Sequence, residues 1–184
     1  QFTNTNTNFE TVTFEVTDGW QKIDPIDAVV TITGHTGEHD YDGEAHSVSG
    51  YDVKTSTNLY TEADFTFSGT AEAERTDAGK TDMGLSDSQF ANTNDNFRSV
   101  TFEVTDGYQK INPIDVTVTI TEHSGEADYD GESHAVSGYD VAISNPLYTE
   151  ADFSFNGSAN VSGINAGTYE MELKPADFTN NNAN

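Results

Sequence analysis

The stretch Thr11-Val12-Thr13-Phe14-Glu15-Val16-Thr17-Asp18-Gly19 returns as Ser99-Val100-Thr101-Phe102-Glu103-Val104-Thr105-Asp106-Gly107, an offset of 88 residues. Apolar Val12, Phe14 and Val16 alternate with Thr13, Glu15 and Thr17, so the period is two and the segment is extended. Thr and Val are stiff at χ1 and suit a pleated surface. Asp-Gly tolerates positive φ at both centres of a two-residue turn. The pair Asp18-Gly19, like Asp106-Gly107, is therefore expected to close a hairpin with Phe14 facing Ile23 and Glu15 facing Lys22.

The same offset aligns the two halves without a gap. Asp40-Tyr41-Asp42-Gly43-Glu44 returns as Asp128-Tyr129-Asp130-Gly131-Glu132, and Leu59 to Phe65 returns unchanged as Leu147 to Phe153. Roughly five positions in eight are identical, which marks a tandem array. Val30 and Ile32, and Phe65 and Phe67, also alternate with polar neighbours. Only single helical turns are expected, around Thr61–Asp64 and Ser86–Gln89. The fold class is all-β: small β-rich repeat units, sandwich-like or β-grasp-like, in an elongated array.

Proline cannot donate to a ladder, and Pro25 and Pro113 recur after the hairpin segment. A boundary there makes residues 1–24 the closing hairpin of a preceding repeat, 25–112 one complete repeat, and 113–184 a second repeat lacking its hairpin. A boundary at Asn8/Asn96 would instead give two nearly whole units. Both ends fall in an Asn-rich segment (Asn4–Asn8, Asn92–Asn96, Asn180–Asn184), as expected of an excerpt from a longer chain. Under the first boundary, residues 1–24 could complete another copy by strand addition.

Composition excludes several functions. Of 184 residues, 32 are acidic and 7 basic, for a formal net charge of -25. Nucleic acid and anionic lipid both need a Lys/Arg footprint. With no cysteine, thiol catalysis, disulfides and thiolate zinc sites are excluded. No apolar run is long enough for membrane insertion.

The order Val30–Thr33, Tyr41–Gly43, Val48–Tyr51, Leu59–Phe65, Asp77–Gly79 and Val100–Gly107 resembles extracellular tandem repeats of Gram-positive surface proteins. It is similar to the Tyr-Asp-Gly repeats grouped as MBG domains, and more loosely to streptococcal high-identity repeats in tandem. The resemblance implies a β-rich, non-catalytic stalk on a bacterial cell surface. Such a stalk would be anchored to the wall through another region and would project a distal adhesin or binding domain. The second copy departs at Asn165-Ala166-Gly167, which lacks the aspartate of Asp77-Ala78-Gly79.

Candidate sites follow from the acidic clusters. Asp40, Asp42 and Glu44, copied as Asp128, Asp130 and Glu132, lie at alternate positions beside a glycine, like part of a calcium loop. Asp18, Asp24 and Asp27 form a second set at the linker. Carboxylates suit calcium rather than zinc, although the EF-hand spacing is absent and solvated turn carboxylates are the commoner outcome. His35, His46, His123 and His134 recur while His39 is matched by Ala127, without a repeated ligand spacing. Lys22 and Lys110 are the lysines that recur, candidates for a Lys–Asn cross-link, which would need a buried, neutral amine. Trp20, Tyr108, Tyr51, Tyr139, Tyr60 and Tyr148 could stack on glycans or a protein partner, or fill the core. No nucleophile elbow is present, so no enzyme is expected. The competing functions are a stalk whose partners are its own neighbouring repeats, a glycan- or protein-binding adhesin module, and a fibre joined by strand complementation.

Overall fold

A computed structural model describes residues 1–184. The chain is all-β, with four single 3-10 turns as its only helices. Residues 26–112, called the first repeat below, contain β1 (Ile26–Gly34), β2 (Thr36–Asp40), β3 (His46–Ser49), β4 (Tyr51–Thr55), β5 (Phe65–Phe67), β6 (Glu72–Arg75), β7 (Gly79–Asp82), β8 (Phe90–Asn92), β9 (Phe97–Thr105) and β10 (Tyr108–Asn112). β1 is central to one sheet, antiparallel to β4 and parallel to β9. β10 is central to another, parallel to β2 and antiparallel to β7. Two short ladders, β3–β6 and β5–β8, complete the repeat.

Alternation in β1 sends Ala28, Val30 and Ile32 inward, where they meet Tyr60, Phe65, Phe90 and Phe97. Phe102 of β9 packs against Phe65 and Phe90, with ring centroids 5.4 and 5.5 Å apart. In a chain poor in aliphatics, these rings each bring a large apolar area into the core. The expected helical turns are present as Glu62–Asp64 and Asp87–Gln89.

The expected Asp106-Gly107 hairpin does not form. β9 and β10 lie in different sheets, and the partner of Phe102 is Val30, not Ile111. Glu103 faces Thr31, and Lys110 faces Glu38 and Lys80. β1 and β2 break at Gly34-His35 just where β9 and β10 break at Asp106-Gly107, and the two chains cross between the sheets side by side. The Tyr108 N–H donates to His35 O at 3.1 Å. A Cβ on either glycine would run into the other strand's backbone. Gly107 therefore serves close approach, and the Asp106 carboxylate accepts from the Gly84 and Leu85 N–H groups, both at 2.9 Å. Asp18-Gly19 closes no hairpin either, because residues 1–25 carry no strand and are exposed throughout.

Residues 113–184, called the second repeat below, contain β11 (Val118–Glu122), β12 (His134–Ser137), β13 (Tyr139–Ile143), β14 (Phe153–Phe155), β15 (Asn160–Gly163) and β16 (Phe178–Asn180). They pair as β11–β13, β12–β15 and β14–β16, matching β1–β4, β3–β6 and β5–β8. β11 thus has a neighbour on one side only. The 14 buried residues of the chain all fall between positions 28 and 111, so the second repeat has the same scaffold around a half-open core. No helix is long and apolar enough to cross a membrane.

Candidate functional site: the joint between the repeats

One polar network is built twice. The Asp64 carboxylate accepts from the Thr61 N–H (2.7 Å) and hydroxyl (2.9 Å) and from Asn94 Nδ2 (2.7 Å). Tyr60 Oη reaches Asp64 O and Asn92 Oδ1, each at 3.0 Å. In the second repeat Asp152 binds Thr149 and Asn182 in the same way, and Tyr148 binds Asp152 O and Asn180. These hydrogen bonds, led by the threonine N–H, hold the Asp64 and Asp152 carboxyls below their ordinary range.

The asparagines form a ladder. Asn94 N–H donates to Asn92 Oδ1 at 3.0 Å and Asn96 N–H to Asn94 Oδ1 at 2.9 Å. Asn180, Asn182 and Asn184 repeat the pattern, as do Asn4, Asn6 and Asn8. Each step is an Asx turn, in which a short amide satisfies the backbone two residues on.

The second ladder ends on the first repeat. Ala78 N–H donates to Asn184 Oδ1 at 2.7 Å, and Asn184 Nδ2 donates to Asp77 Oδ1 at 3.2 Å. Asn184 O also accepts from the Ile114 N–H at 2.8 Å, so one residue ties the start and end of the second repeat to the Asp77-Ala78-Gly79 loop. Arg75 braces that loop through Ala78 O at 2.6 Å, and Gly79, at φ 132, leaves room for the guanidinium. Nearby, Gly43 of the Tyr-Asp-Gly loop lies against Leu147, while its counterpart Gly131 meets nothing. Leu147 is 38% exposed, but Leu59, at the same place in the first repeat, is 66% exposed. Contact at the joint thus accompanies the lower exposure of Leu147.

The second repeat braces its own loop differently. Gly163 stands where Arg75 does, and the Tyr169 ring fills the space over it, with its hydroxyl donating to Asn165 O at 3.2 Å. The exchange of Arg75/Thr81 for Gly163/Tyr169 keeps a support under the loop while changing its chemistry.

The acidic candidates are dispersed, and nowhere do three His, Asp or Glu side chains gather in a group that could hold a metal ion. Asp42 accepts from the Glu44 N–H at 2.9 Å and pairs with His46 at 3.0 Å. Asp130 does the same with Glu132 and His134. Those contacts, the backbone N–H first, hold both carboxyls down. Asp40 meets Asn112, Asp27 forms a two-armed pair with Arg98, and Asp24 pairs with Lys22. Asp18, Glu44, Asp128 and Glu132 are exposed.

The histidines are structural. His35 Nδ1 lies 2.8 Å from Ser49 O and its Nε2 3.4 Å from Asp52; His123 repeats both contacts with Ser137 and Asp140. Each ring lies over a glycine at positive φ, Gly50 or Gly138. The Ser49 carbonyl followed by Asp52 raises the His35 pKa, and Asp140 followed by Ser137 raises that of His123. His39 stacks on His46 at 4.1 Å and meets buried Gln109 at 3.1 Å.

Lys110 pairs with Glu38 at 2.8 Å, and Glu38 also accepts from Asn112 at 3.1 Å. The Glu38 contact raises the Lys110 pKa, the reverse of what an attacking amine requires. Of the aromatic candidates, Tyr60 is buried, and Tyr51 and Tyr139 pack edge-on against Phe67/Phe90 and Phe155/Phe178. Tyr108 lies under Lys80 at 4.5 Å; Trp20 is exposed in the unpaired segment. Sequence alone gives Asp77-Ala78-Gly79 as a repeat motif and Asn184 as part of a recurring Asn-rich segment, not as site residues. The signal was present in the threefold Asn-x-Asn-x-Asn pattern, whose long-range partners residue chemistry alone does not reveal.

Residues 116–184 match the family model described as the MBG domain. No curated protein and no solved structure matches the chain.

Proposed function

With its second repeat an MBG-type repeat, we propose that this chain is a non-catalytic structural segment of an extracellular bacterial surface protein, a stalk that holds a distal binding domain away from the cell. The carrying observation is the joint, in which Asn184 bonds Asp77 and Ala78 while Leu147 covers Gly43. A stalk transmits position only if adjacent units are held in a fixed relation, and this joint supplies polar direction plus an apolar contact. The charge of -25 keeps neighbouring rods apart and limits misfolding between near-identical repeats. Tyr60 is buried and Tyr51, Tyr139 and Tyr148 are half-buried against their own repeats, which leaves few aromatic faces for a glycan platform and favours the stalk over the adhesin-module reading.

Small-angle scattering tests this. Asp77→Ala combined with Asn184→Ala is expected to broaden the distribution of interatomic distances without moving the unfolding midpoint. An unchanged distribution would remove the joint as the source of stiffness. Specific retention of the chain on a glycan array would replace the spacer with a binding module.

A further inference from the structure

We infer that Asn156-Gly157, in the turn that joins β14 to β15, is a self-modification site where the chain deamidates itself, leaving aspartate and isoaspartate in place of Asn156. The reaction needs a side-chain amide next to a main-chain nitrogen, room for the two to meet, and neither group held elsewhere. Asn156, Gly157 and Ser158 are all exposed. The Gly157 N–H has no acceptor within the chain. The hydrogen bonds of this turn run from the Asn156 N–H to Asp177 O at 2.8 Å and from Asn160 Nδ2 to Ser158 Oγ at 2.9 Å, so the Asn156 amide is left free.

The bond to Asp177 anchors Asn156 as the last rung of the β14–β16 ladder, while Gly157 on its far side is unbonded. Ser68 stands at the same place in the first repeat, with its N–H on Gln89 O at 3.0 Å, and it is exposed as well. Exposure therefore belongs to the turn itself and not to the half-open core of the second repeat. Ser68 carries no amide, so the site exists in one repeat only.

The step balances with water alone. The Gly157 nitrogen loses its proton to solvent and attacks Asn156 Cγ. The N–Cγ bond forms, the Cγ–Nδ2 bond breaks, and the amide nitrogen takes up protons from solvent and leaves as ammonia. Both groups sit on adjacent residues, which makes the closure unimolecular, and glycine has no Cβ to obstruct it. Water then opens the five-membered imide at either carbonyl. Cleavage at Cγ leaves aspartate, and cleavage at the main-chain carbonyl carbon leaves isoaspartate, whose backbone is one methylene longer. Ring opening outpaces ring closure in mild alkali, so the imide does not accumulate and the net change is ammonia out, water in. Each event adds one negative charge to a chain already at -25. The charged side chain packed against Gly157 is Asp177, whose Cβ lies 3.1 Å from where a Gly157 Cβ would stand, so the new carboxylate arises beside a like charge.

The other asparagines lack this combination. Of those before Asn184, only Asn156 precedes a glycine. Asn112 and Asn145 precede proline, whose nitrogen has no proton to lose. Asn92, Asn94, Asn180 and Asn182 each hold the N–H two residues on through Oδ1, and each is followed by a residue whose Cβ crowds the approach.

Intact mass and peptide mapping of the full chain, held folded for weeks in mildly alkaline buffer, are the test. Starting from the full mass of the sequence, a gain of about one dalton is expected from exchange of the amide for a carboxyl. It should be confined to the peptide containing Asn156, with isoaspartate present there, and should accumulate at least about tenfold faster than at any other asparagine. Asn156→Ser, which installs the residue of the first repeat, should abolish the gain. Asn156→Gln should slow it at least about tenfold, because a six-membered ring closes less readily. An intact Asn156 amide over the same period overturns the inference. So does a gain spread evenly over the asparagines, or one that survives Asn156→Ser undiminished.

Discussion

Gly34 and Gly107 cross with their backbones in contact, so that a Cβ added to Gly34 would fall on the Gly107 amide. Backbone cannot rotate away as a side chain can. Gly34→Ala is expected to cost about 2 kcal/mol, within the usual range for overpacking, read as a lower urea midpoint. Gly19→Ala, where an added Cβ meets nothing, should leave the midpoint unchanged. Equal effects would mean that the crossing is not close.

Tyr60 is 1% exposed and donates into the Asp64–Asn92 network. Tyr60→Phe should cost about 1–2 kcal/mol, because Asn92 and the Asp64 carbonyl lose a donor inside the repeat. Tyr148→Phe makes the same chemical change in a half-open core where water can substitute, so its cost should be smaller. A larger loss at Tyr148 would contradict the burial difference between the repeats.

Stability should peak in mildly acidic solution. His35 and His123 have folded pKa values raised above 6.5, so their contribution is complete below that value and lost as pH rises through the folded values. Asp42, Asp64, Asp130 and Asp152 are lowered from 3.8, so theirs is present above 3.8 and lost as pH falls through the folded values. Thermal midpoints scanned across pH should be highest between those limits. Asp52→Asn together with Asp140→Asn should make the alkaline side shallower, more through His123, where Asp140 leads, than through His35, where the Ser49 carbonyl remains; an unchanged slope there would assign it to other groups.

Calcium should do little. Asp42 and Asp130 each already accept from a backbone N–H and pair with a histidine, and Asp27 and Asp24 pair with Arg98 and Lys22. At millimolar calcium, typical for extracellular modules, the melting temperature should stay where it is in chelator. A rise would show that the acidic clusters rearrange into ligands, since a ion bound only to the folded state must stabilise it.

Intact mass reports on the lysines. Lys110 is kept charged by Glu38 and exposed to solvent, so the chain should have the full mass of its sequence. Loss of one ammonia would require the Lys110 amine to form an amide with the side-chain carbonyl carbon of Asn112 and release its amide nitrogen, beside Glu38, which contacts the two side chains at 2.8 and 3.1 Å.

The amino-acid sequence by itself determined the all-β class, the 88-residue repeat and the capped turns at Thr61–Asp64 and Ser86–Gln89. Each of these rests on periodicity or on residues within four positions of one another, and such contacts are written locally. Strand partnership is not. Thr13-Phe14-Glu15 and Thr101-Phe102-Glu103 read alike, yet the second set is a paired strand and the first is unpaired. What differs is whether a β1-like strand lies beside it, some seventy residues away in the chain. The Asp106-Gly107 hairpin failed for the same reason: local turn preference yields when two strands can each bury a face in separate sheets. Likewise Asn184 reads as one more residue of an Asn-rich segment until folding brings it to Asp77 and Ala78. Tertiary structure decided pairing, crossing and joint because those depend on which backbones meet, and only the folded chain brings those backbones together.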